Sequence, residues 1–238
     1  MRIVPKALLA LLVASPAAAM DDQAIYSRFD FLAEKRITSL APATEWNAAG
    51  WIGDDEWKLR LQNSGVLTDS GHIDNEGGTK GIDSRFYVSR MIAPFWDTKA
   101  GVQLAVFDRG LHRSGFLAGV EGLVPYGIHL DAVAGVNETG VVSLRVEAAY
   151  DILLSQKLIA QPFVEGMLAS QDDPAIRLGA GLSRLEAGLR LRYEIEKEIA
   201  PFIGLSFEQF TGNTAGLVAA DGDATSSLRA LVGLKVWF

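Results

Sequence analysis

The chain has 238 residues, a formal net charge of −7 and no cysteine. The lack of cysteine excludes a disulfide framework, thiolate metal sites and a cysteine nucleophile, and the acidic balance argues against a nucleic-acid partner, because phosphate binding needs a basic surface. The mean hydropathy of +0.17 is high for a soluble domain, so a membrane location has to be considered.

The first 19 residues have the pattern of a cleaved export signal. Arg2 and Lys6 precede the apolar run 7–14, Pro16 breaks that run, and the alanines at 17–19 form an A-x-A cleavage site. The run is too short to span a bilayer, and no later segment approaches ~20 consecutive apolar residues. We therefore expect a signal peptide at 1–19, a short periplasmic segment at 20–25, and the folded domain at 26–238.

Apolar and polar residues alternate with period two along most of the mature chain. In the segment 183–195, for example, Leu185, Leu189 and Tyr193 share one face, while arginines and glutamates occupy the other. This alternation is typical of β-strands. We predict twelve strands, at about 26–37, 44–53, 56–65, 82–92, 97–107, 113–124, 126–136, 141–153, 157–168, 182–195, 199–210 and 227–238.

Two architectures produce such alternation, a soluble β-sandwich and a membrane β-barrel. Sandwich strands average ~5–6 residues, whereas most of the predicted strands have the length of about ten residues that a tilted strand needs to cross a bilayer. Aromatic residues such as Tyr150 and Tyr193 end the apolar faces, where an interface girdle would lie. With periplasmic termini, the short turns fall on the periplasmic side and the long connections 65–81, 169–181 and 211–226 outside. The sequence therefore predicts an all-β, transmembrane, antiparallel up-and-down β-barrel of about 12 strands in the outer membrane.

Five separated motifs lie along nearly the whole mature chain. They are APFWD at 93–97, GLVPY at 122–126, LRVEAAYDILLSQKLIAQP at 144–162, GLSRLEAGLRLRYEI at 181–195 and EIAPFIG at 198–204. In this order they resemble the copper resistance protein B family of outer-membrane proteins, over roughly Tyr26 to Phe238. The resemblance implies a twelve-stranded barrel, a copper ion as ligand and a role in copper handling in a Gram-negative bacterium. It also makes a periplasmic copper oxidase or copper carrier a plausible partner, beside outer-membrane lipid.

Family members commonly have a Met- and His-rich segment ahead of the barrel. Here only residues 20–25 precede the first predicted strand, and they contain no histidine. We therefore do not expect copper loading by such a segment, and a general small-solute porin or structural barrel without metal specificity is the alternative. An enzyme is not expected, because a nucleophile would need a base at a position that lipid reaches, and we place His72 and His112 in loops and His129 facing inward.

His129 is the most informative candidate for a copper ligand. Copper binds imidazole, thioether or, as the divalent ion, carboxylate. Hairpin turns centred near Pro125 and Glu138 would place His129 opposite Glu121 and Glu147, with Cβ atoms about 4.5–5.5 Å apart. Such a row would hold a divalent cation or, alternatively, form a charged hydrogen-bond network that braces the wall.

Two methionines and a set of charged residues also face the lumen by parity. The thioethers of Met91 and Met167 would suit Cu(I), although methionine also fills gaps in a core. The same turn arithmetic places Asp131 opposite Arg145. Side chains fill the lumen of an eight-stranded barrel, whereas a barrel of sixteen or more strands encloses an open channel, and twelve strands lie between these cases. The luminal charges therefore either close the lumen or line a narrow polar path. The predicted pore-lining residues are Asp131, Arg145, Glu165, Arg184, Glu186, Arg190, Arg192 and Arg229.

Overall fold

The structure is a computed structural model, and it describes residues 25–37, 43–68, 81–107 and 110–237. The predicted signal peptide, the short segment that follows it up to residue 24, and the loop histidine His72 lie outside the described residues. None of the described helices is long and apolar enough to cross a membrane.

The described residues form one antiparallel sheet that closes on itself. β1 pairs with β2 and also with β13, the last strand, so the sheet is a barrel. β8 and β9 are two parts of one strand that is interrupted at Asp151, because both pair with β10, and the barrel therefore has twelve strands. The elements are β1 (Tyr26–Ile37), β2 (Ala43–Gly53), β3 (Trp57–Thr68), β4 (Ile82–Ala93), β5 (Trp96–Val106), β6 (His112–Val124), β7 (Ile128–Asn137), β8 (Val142–Tyr150), β9 (Ile152–Leu153), β10 (Leu158–Ala169), β11 (Gly181–Tyr193), β12 (Ile199–Phe210), α1 (Gly212–Ala220) and β13 (Ser226–Trp237).

The predicted fold class is confirmed, and the predicted strand bounds differ from the observed ones by three residues or fewer. At the end where β1 begins and β13 ends, the strands are joined by short turns, among them Pro94–Phe95 and Pro125–Gly127. We call this end the turn end, and the opposite end, which carries the longer connections, the loop end. Phe95 and Tyr126 adopt positive φ angles of 67° and 73° in these turns, which shows how sharply the chain reverses there.

The two faces of the wall differ as the alternation predicts. Large apolar side chains such as Leu189, Leu205 and Phe207 are exposed on the outside of the barrel, with relative exposures of 49%, 58% and 46%. Their polar neighbours on the same strands, including Arg184 and Glu208, are almost fully buried inside. Such a wall has an apolar outer face and a charged core, the reverse of a soluble domain, and lipid is the solvent that suits it.

A cap of loop residues narrows the loop end. The connection between β10 and β11 folds inward, so that Ile176 and Leu178 are buried against Phe107, Val141 and Ala169. Arg113 at the start of β6 holds this connection by donating two hydrogen bonds to Asp173, of 2.9 and 3.0 Å. The lumen is therefore partly filled at its loop end.

The helix α1 packs beside this cap, in a segment that the sequence predicts only as a long polar loop. The backbone N–H of Gly179 donates to the Thr214 hydroxyl at 2.8 Å, and Thr214 is fully buried. Asp172 accepts hydrogen bonds from the Ala180 backbone N–H and the Asn213 side chain, at 2.6 and 3.1 Å, and these bonds lower the pKa of the Asp172 carboxyl. Helix and cap therefore form one connected unit.

Candidate functional site in the barrel lumen

One carboxylate on each of seven neighbouring strands lies in the same register on the inner wall. Asp97 lies opposite Glu121, Glu121 opposite Asp131, and the pairing continues strand by strand to β12. We call this set the carboxylate row. Its members are Asp97, Glu121, Asp131, Glu147, Glu165, Glu186 and Glu208.

The carboxylate row climbs through the barrel from one end towards the other. It runs across the strands, and strands of outer-membrane barrels tilt by ≈ 35–45° from the barrel axis. Asp97 is the second residue of β5, beside the turn end, whereas Glu208 lies close to the loop end of β12. With strands ~4.8 Å apart, the six steps of the row span roughly 29 Å. The row therefore forms a spiral of carboxylates along the lumen.

Basic side chains neutralise the beginning of the row. Arg60 contacts both Asp97 and Glu121, and Lys58 donates to Asp97 at 2.9 Å. Lys99 is completely buried, and its Nζ donates to Glu121 at 3.0 Å and to Asp131 at 2.8 Å. Charged side chains at such low exposure are stable only when they are paired, so these contacts are needed for the fold.

Arg184 is the centre of the loop-end half of the row. Its guanidinium contacts Glu165 and donates to Glu208 at 2.9 Å and to Glu186 at 3.3 Å. Arg229 contacts Glu208 as well, and the side chains of Arg184, Glu208 and Arg229 are only 3%, 1% and 3% exposed. This half is therefore a buried network of charges with little contact to water.

Glu147, in the middle of the row, differs from the other members. Its side chain makes no hydrogen bond or ion pair with any residue of the described part of the chain. It lies directly between Asp131 and Glu165 in the register. Like charges directly opposite each other in a sheet repel, so Glu147 is the position at which the row most lacks a positive partner.

Three spaces adjoin one another in the part of the lumen that the described residues enclose. A cavity of about 740 Å³, the turn-end cavity, is lined by Arg28, Trp237 and Glu147 among others and extends to Gly81 at the loop end. A space of about 60 Å³, the neck, follows it, and a pocket of about 90 Å³ lies beneath the cap. Asp83 and Arg145 line all three, and the wide cavity and the capped pocket also share Gly81, Glu165 and Arg184, so the three spaces adjoin one another.

The predicted row of Glu121, His129 and Glu147 is wrong in register. His129 lies opposite Leu123 and Ala149, two residues closer to the turn end than predicted. The first hairpin is centred on Tyr126 instead of Pro125, because the three residues Pro125–Gly127 form a helical turn. A shift of the turn centre by one residue moves the cross-strand partner by two residues. His129 therefore still faces the lumen, but its neighbours differ from the predicted ones.

A separate shift in the next hairpin, which is centred on Thr139 instead of Glu138, corrects the expected pair of Asp131 and Arg145. Asp131 lies opposite Glu147, and Arg145 lies opposite Val133. Arg145 instead donates to Glu165 on β10 at 2.9 Å. His129 itself is exposed to the turn-end cavity, where no described carboxylate is its cross-strand neighbour.

The two candidate methionines lie at opposite ends of the barrel. Met91 is 41% exposed near the turn end, opposite Asp97. Met167 faces the lumen between Arg145 and Arg184 in the register and packs against the apolar residues beneath the cap. Within the described residues, no three His, Asp or Glu side chains are arranged to hold a metal ion together.

The structure places the predicted pore-lining residues on the inner wall, and most of them in ion pairs. Besides the contacts above, Arg190 lies 3.3 Å from Glu34, and Arg192 donates to Asp151 at 2.9 Å. Sequence reasoning missed Asp83, Asp97 and Lys99. The alternation of polar and apolar residues predicts that these three side chains face the lumen. Their alignment with the other charges depends on the register of each strand pair, which the alternation does not give.

Comparison with known proteins assigns this barrel to a family. Residues 26–238 match the family described as copper resistance protein B precursor (CopB). The chain belongs to the copper resistance protein B family. It is 33% identical over 193 residues to the copper resistance protein B of Escherichia coli, covering 81% of this chain and 62% of that protein. It is also 33% identical over 196 residues to a copper resistance protein B homolog of Pseudomonas syringae pv. tomato (strain ATCC BAA-871 / DC3000), covering 82% and 64%.

This CopB-family chain spans less than two thirds of the length of both relatives. Among solved structures it resembles the NanC porin, with a TM-score of 0.54 and 12% identity over 87% of this chain and 98% of the other. It also resembles the KdgM porin, with a TM-score of 0.51 and 9% identity over 89% and 99%. At these identities the likeness concerns the fold alone. The protein is an outer-membrane β-barrel of a Gram-negative bacterium, and its outer face contacts lipid.

Proposed function

We propose that this CopB-family barrel contributes to copper resistance by binding copper ions in its lumen and letting them pass across the outer membrane. The observation that carries the proposal is the carboxylate row, which offers oxygen ligands along the lumen and leaves Glu147 without a positive partner. Carboxylate and water are acceptable ligands for Cu²⁺. Conduction needs several weak sites in sequence, because an ion that binds too tightly does not leave.

Other donors extend this path at its two ends. The imidazole of His129 lines the turn-end cavity and adds a nitrogen ligand. Such a ligand binds Cu²⁺ more tightly than it binds the other divalent ions of the first transition row. Met167 near the cap and Met91 near the turn end supply thioethers that suit Cu(I). We propose Glu121, Glu147, His129, Met91 and Met167 as positions that copper visits one after another, since they lie too far apart in register to form one centre.

The turn end faces the periplasm in barrels with this arrangement of turns and loops. We propose that a periplasmic copper oxidase or copper carrier exchanges copper with the barrel there, as the family resemblance suggests. A catalytic role forms no part of the proposal. Of the described histidines, His112 is the first residue of β6 at the loop end, where the sequence predicts a loop, and His129 lines the lumen.

A second candidate function is a structural barrel or general porin without metal specificity. The ion pairs that neutralise most of the carboxylate row favour it, since such pairs stabilise the wall without a metal ion. The cap narrows the lumen at the loop end, and a structural barrel needs no wider lumen than this.

The two candidates differ in what loss of the protein does to metal content. We expect cell-associated copper under copper load to change in a deletion strain and to return to the parental level on complementation, while zinc stays constant. Metal content is measured by mass spectrometry in washed cells. An equal change in both metals would favour the general porin, and no change in either would favour the structural barrel.

A further inference from the structure

We propose that the neck is a binding site for a hydrated divalent cation. This proposal deepens the proposed function, on which its biological role rests. The neck adjoins both the turn-end cavity and the pocket beneath the cap, so it lies beside the route of an ion along the lumen. Its oxygen-bearing lining residues are Asn47, Gln62, Ser64, Asp83, Asp131 and Glu147.

Two of these carboxylates have an oxygen with unused hydrogen-bonding capacity. Asp83 is 8% exposed; its Oδ2 accepts hydrogen bonds from Arg85 and Gln103, whereas its Oδ1 is buried without a partner among the described residues. Asp131 accepts from Lys99 through Oδ2, and its Oδ1 is likewise buried and without a partner in that part of the chain. Buried polar atoms normally have a partner. These two oxygens are therefore independent signs that a ligand or ordered water belongs near the neck.

The charges around the neck favour a cation. Three carboxylates line it, against the two guanidinium groups of Arg85 and Arg145. Both guanidinium groups are already engaged, Arg85 with Asp83 and Arg145 with Glu165. Glu147, directly opposite Asp131, has no counter-charge of its own among the described residues. A doubly charged ion between these two side chains would relieve their repulsion.

The size of the neck and the spacing of its donors indicate that the ion keeps water. The volume of about 60 Å³ exceeds the ≈ 30 Å³ that one water molecule takes up in the liquid. The described His, Asp and Glu side chains do not form a group of three that could coordinate an ion directly. A small divalent cation that retains several waters and contacts one or two carboxylates fits this arrangement.

Binding of Mn²⁺ to the purified full-length protein in detergent tests the site. Mn²⁺ is a divalent probe for oxygen ligands, and the fall of its free-ion electron paramagnetic resonance signal measures binding. We expect E147Q to weaken Mn²⁺ binding about tenfold, because it removes one full charge from the neck without changing its shape. N47D adds a carboxylate to the same lining and is expected to strengthen binding. Cu²⁺ should displace Mn²⁺, since it binds such ligands more tightly.

The matched control is E194Q, because Glu194 is a luminal glutamate that lines the turn-end cavity but not the neck. We expect it to bind Mn²⁺ like the unmodified protein. Unchanged binding in both E147Q and N47D, an equal loss in E194Q, or no Mn²⁺ binding by the unmodified protein would each overturn the proposal. The opposite directions expected for E147Q and N47D separate a lost site from a misfolded barrel.

The result is also separable from the proposed function. If copper content is unaffected in the deletion strain but the Mn²⁺ results are as expected, the cation site stands and the role in copper resistance falls. If the deletion strain shows the copper-specific change while E147Q and N47D bind Mn²⁺ as the unmodified protein does, the role stands and the neck is not its site.

Discussion

Replacing Arg184 by methionine is expected to destabilise the barrel by about 3–5 kcal/mol, the usual effect of removing one partner from a buried ion pair. The guanidinium of Arg184 is shared by Glu165, Glu186 and Glu208, and the Arg184 side chain is only 3% exposed. Methionine fills most of the same space but leaves these carboxylates with less positive charge around them. Equilibrium unfolding in urea, followed by tryptophan fluorescence in lipid vesicles, measures the change.

The matched control is R28M at the rim of the turn end. Arg28 donates to Asp30 at 2.9 Å, but the two side chains are 51% and 30% exposed. Because water and salt screen such a pair, we expect a loss below about 1 kcal/mol. R184K should be intermediate, since an ammonium group keeps the charge but lacks the fork that contacts several carboxylates. Similar losses for R184M and R28M would show that the buried network does not stabilise the barrel.

Replacing Arg113 by alanine is expected to open the loop end. Arg113 donates two hydrogen bonds to Asp173, and the two side chains are 15% and 8% exposed. This pair anchors the connection whose Ile176 and Leu178 fill the mouth of the barrel. If the lost pair is worth about 3 kcal/mol, the population of barrels with a displaced cap rises by a factor on the order of 100. Conductance of single barrels in planar lipid bilayers should increase and become more variable.

The control for the cap is R90A. Arg90 forms an ion pair with Glu56 at the turn end, and both side chains are about half exposed. Its loss leaves the cap untouched, so the conductance should stay at the level of the unmodified protein. Equal conductance of R113A and the unmodified protein would mean that the Arg113–Asp173 pair does not hold the mouth closed.

The strands and their two faces could be predicted from the sequence because they depend on local pattern. Every strand alternates with period two, and in a barrel each residue faces either lipid or the lumen. The inward orientation of Arg184, Glu186 and Arg190 therefore follows from their even positions in one strand, whatever its neighbours are. On each strand the apolar residues face lipid and the charged residues face the lumen, so both sets of residues indicate the same orientation of the strand.

The neighbours of each luminal side chain could not be predicted in the same way. They depend on the centre of each turn, and the helical turn at Pro125–Gly127 shifted His129 from Glu121 to Leu123. The carboxylate row requires six such registers to be correct at once. The cap was missed for another reason, since Ile176 and Leu178 are buried by contacts between distant loops that no local pattern records.

Copper entry into proteoliposomes tests most directly whether copper ions pass through the lumen. Vesicles that contain the purified protein and an enclosed copper-sensitive dye are mixed with Cu²⁺, and the rate of quenching is compared with that of protein-free vesicles. We predict faster entry with the unmodified protein and slower entry with E147Q than with E194Q. Entry at the protein-free rate with the unmodified protein, and also with R113A, would contradict passage of copper through this barrel.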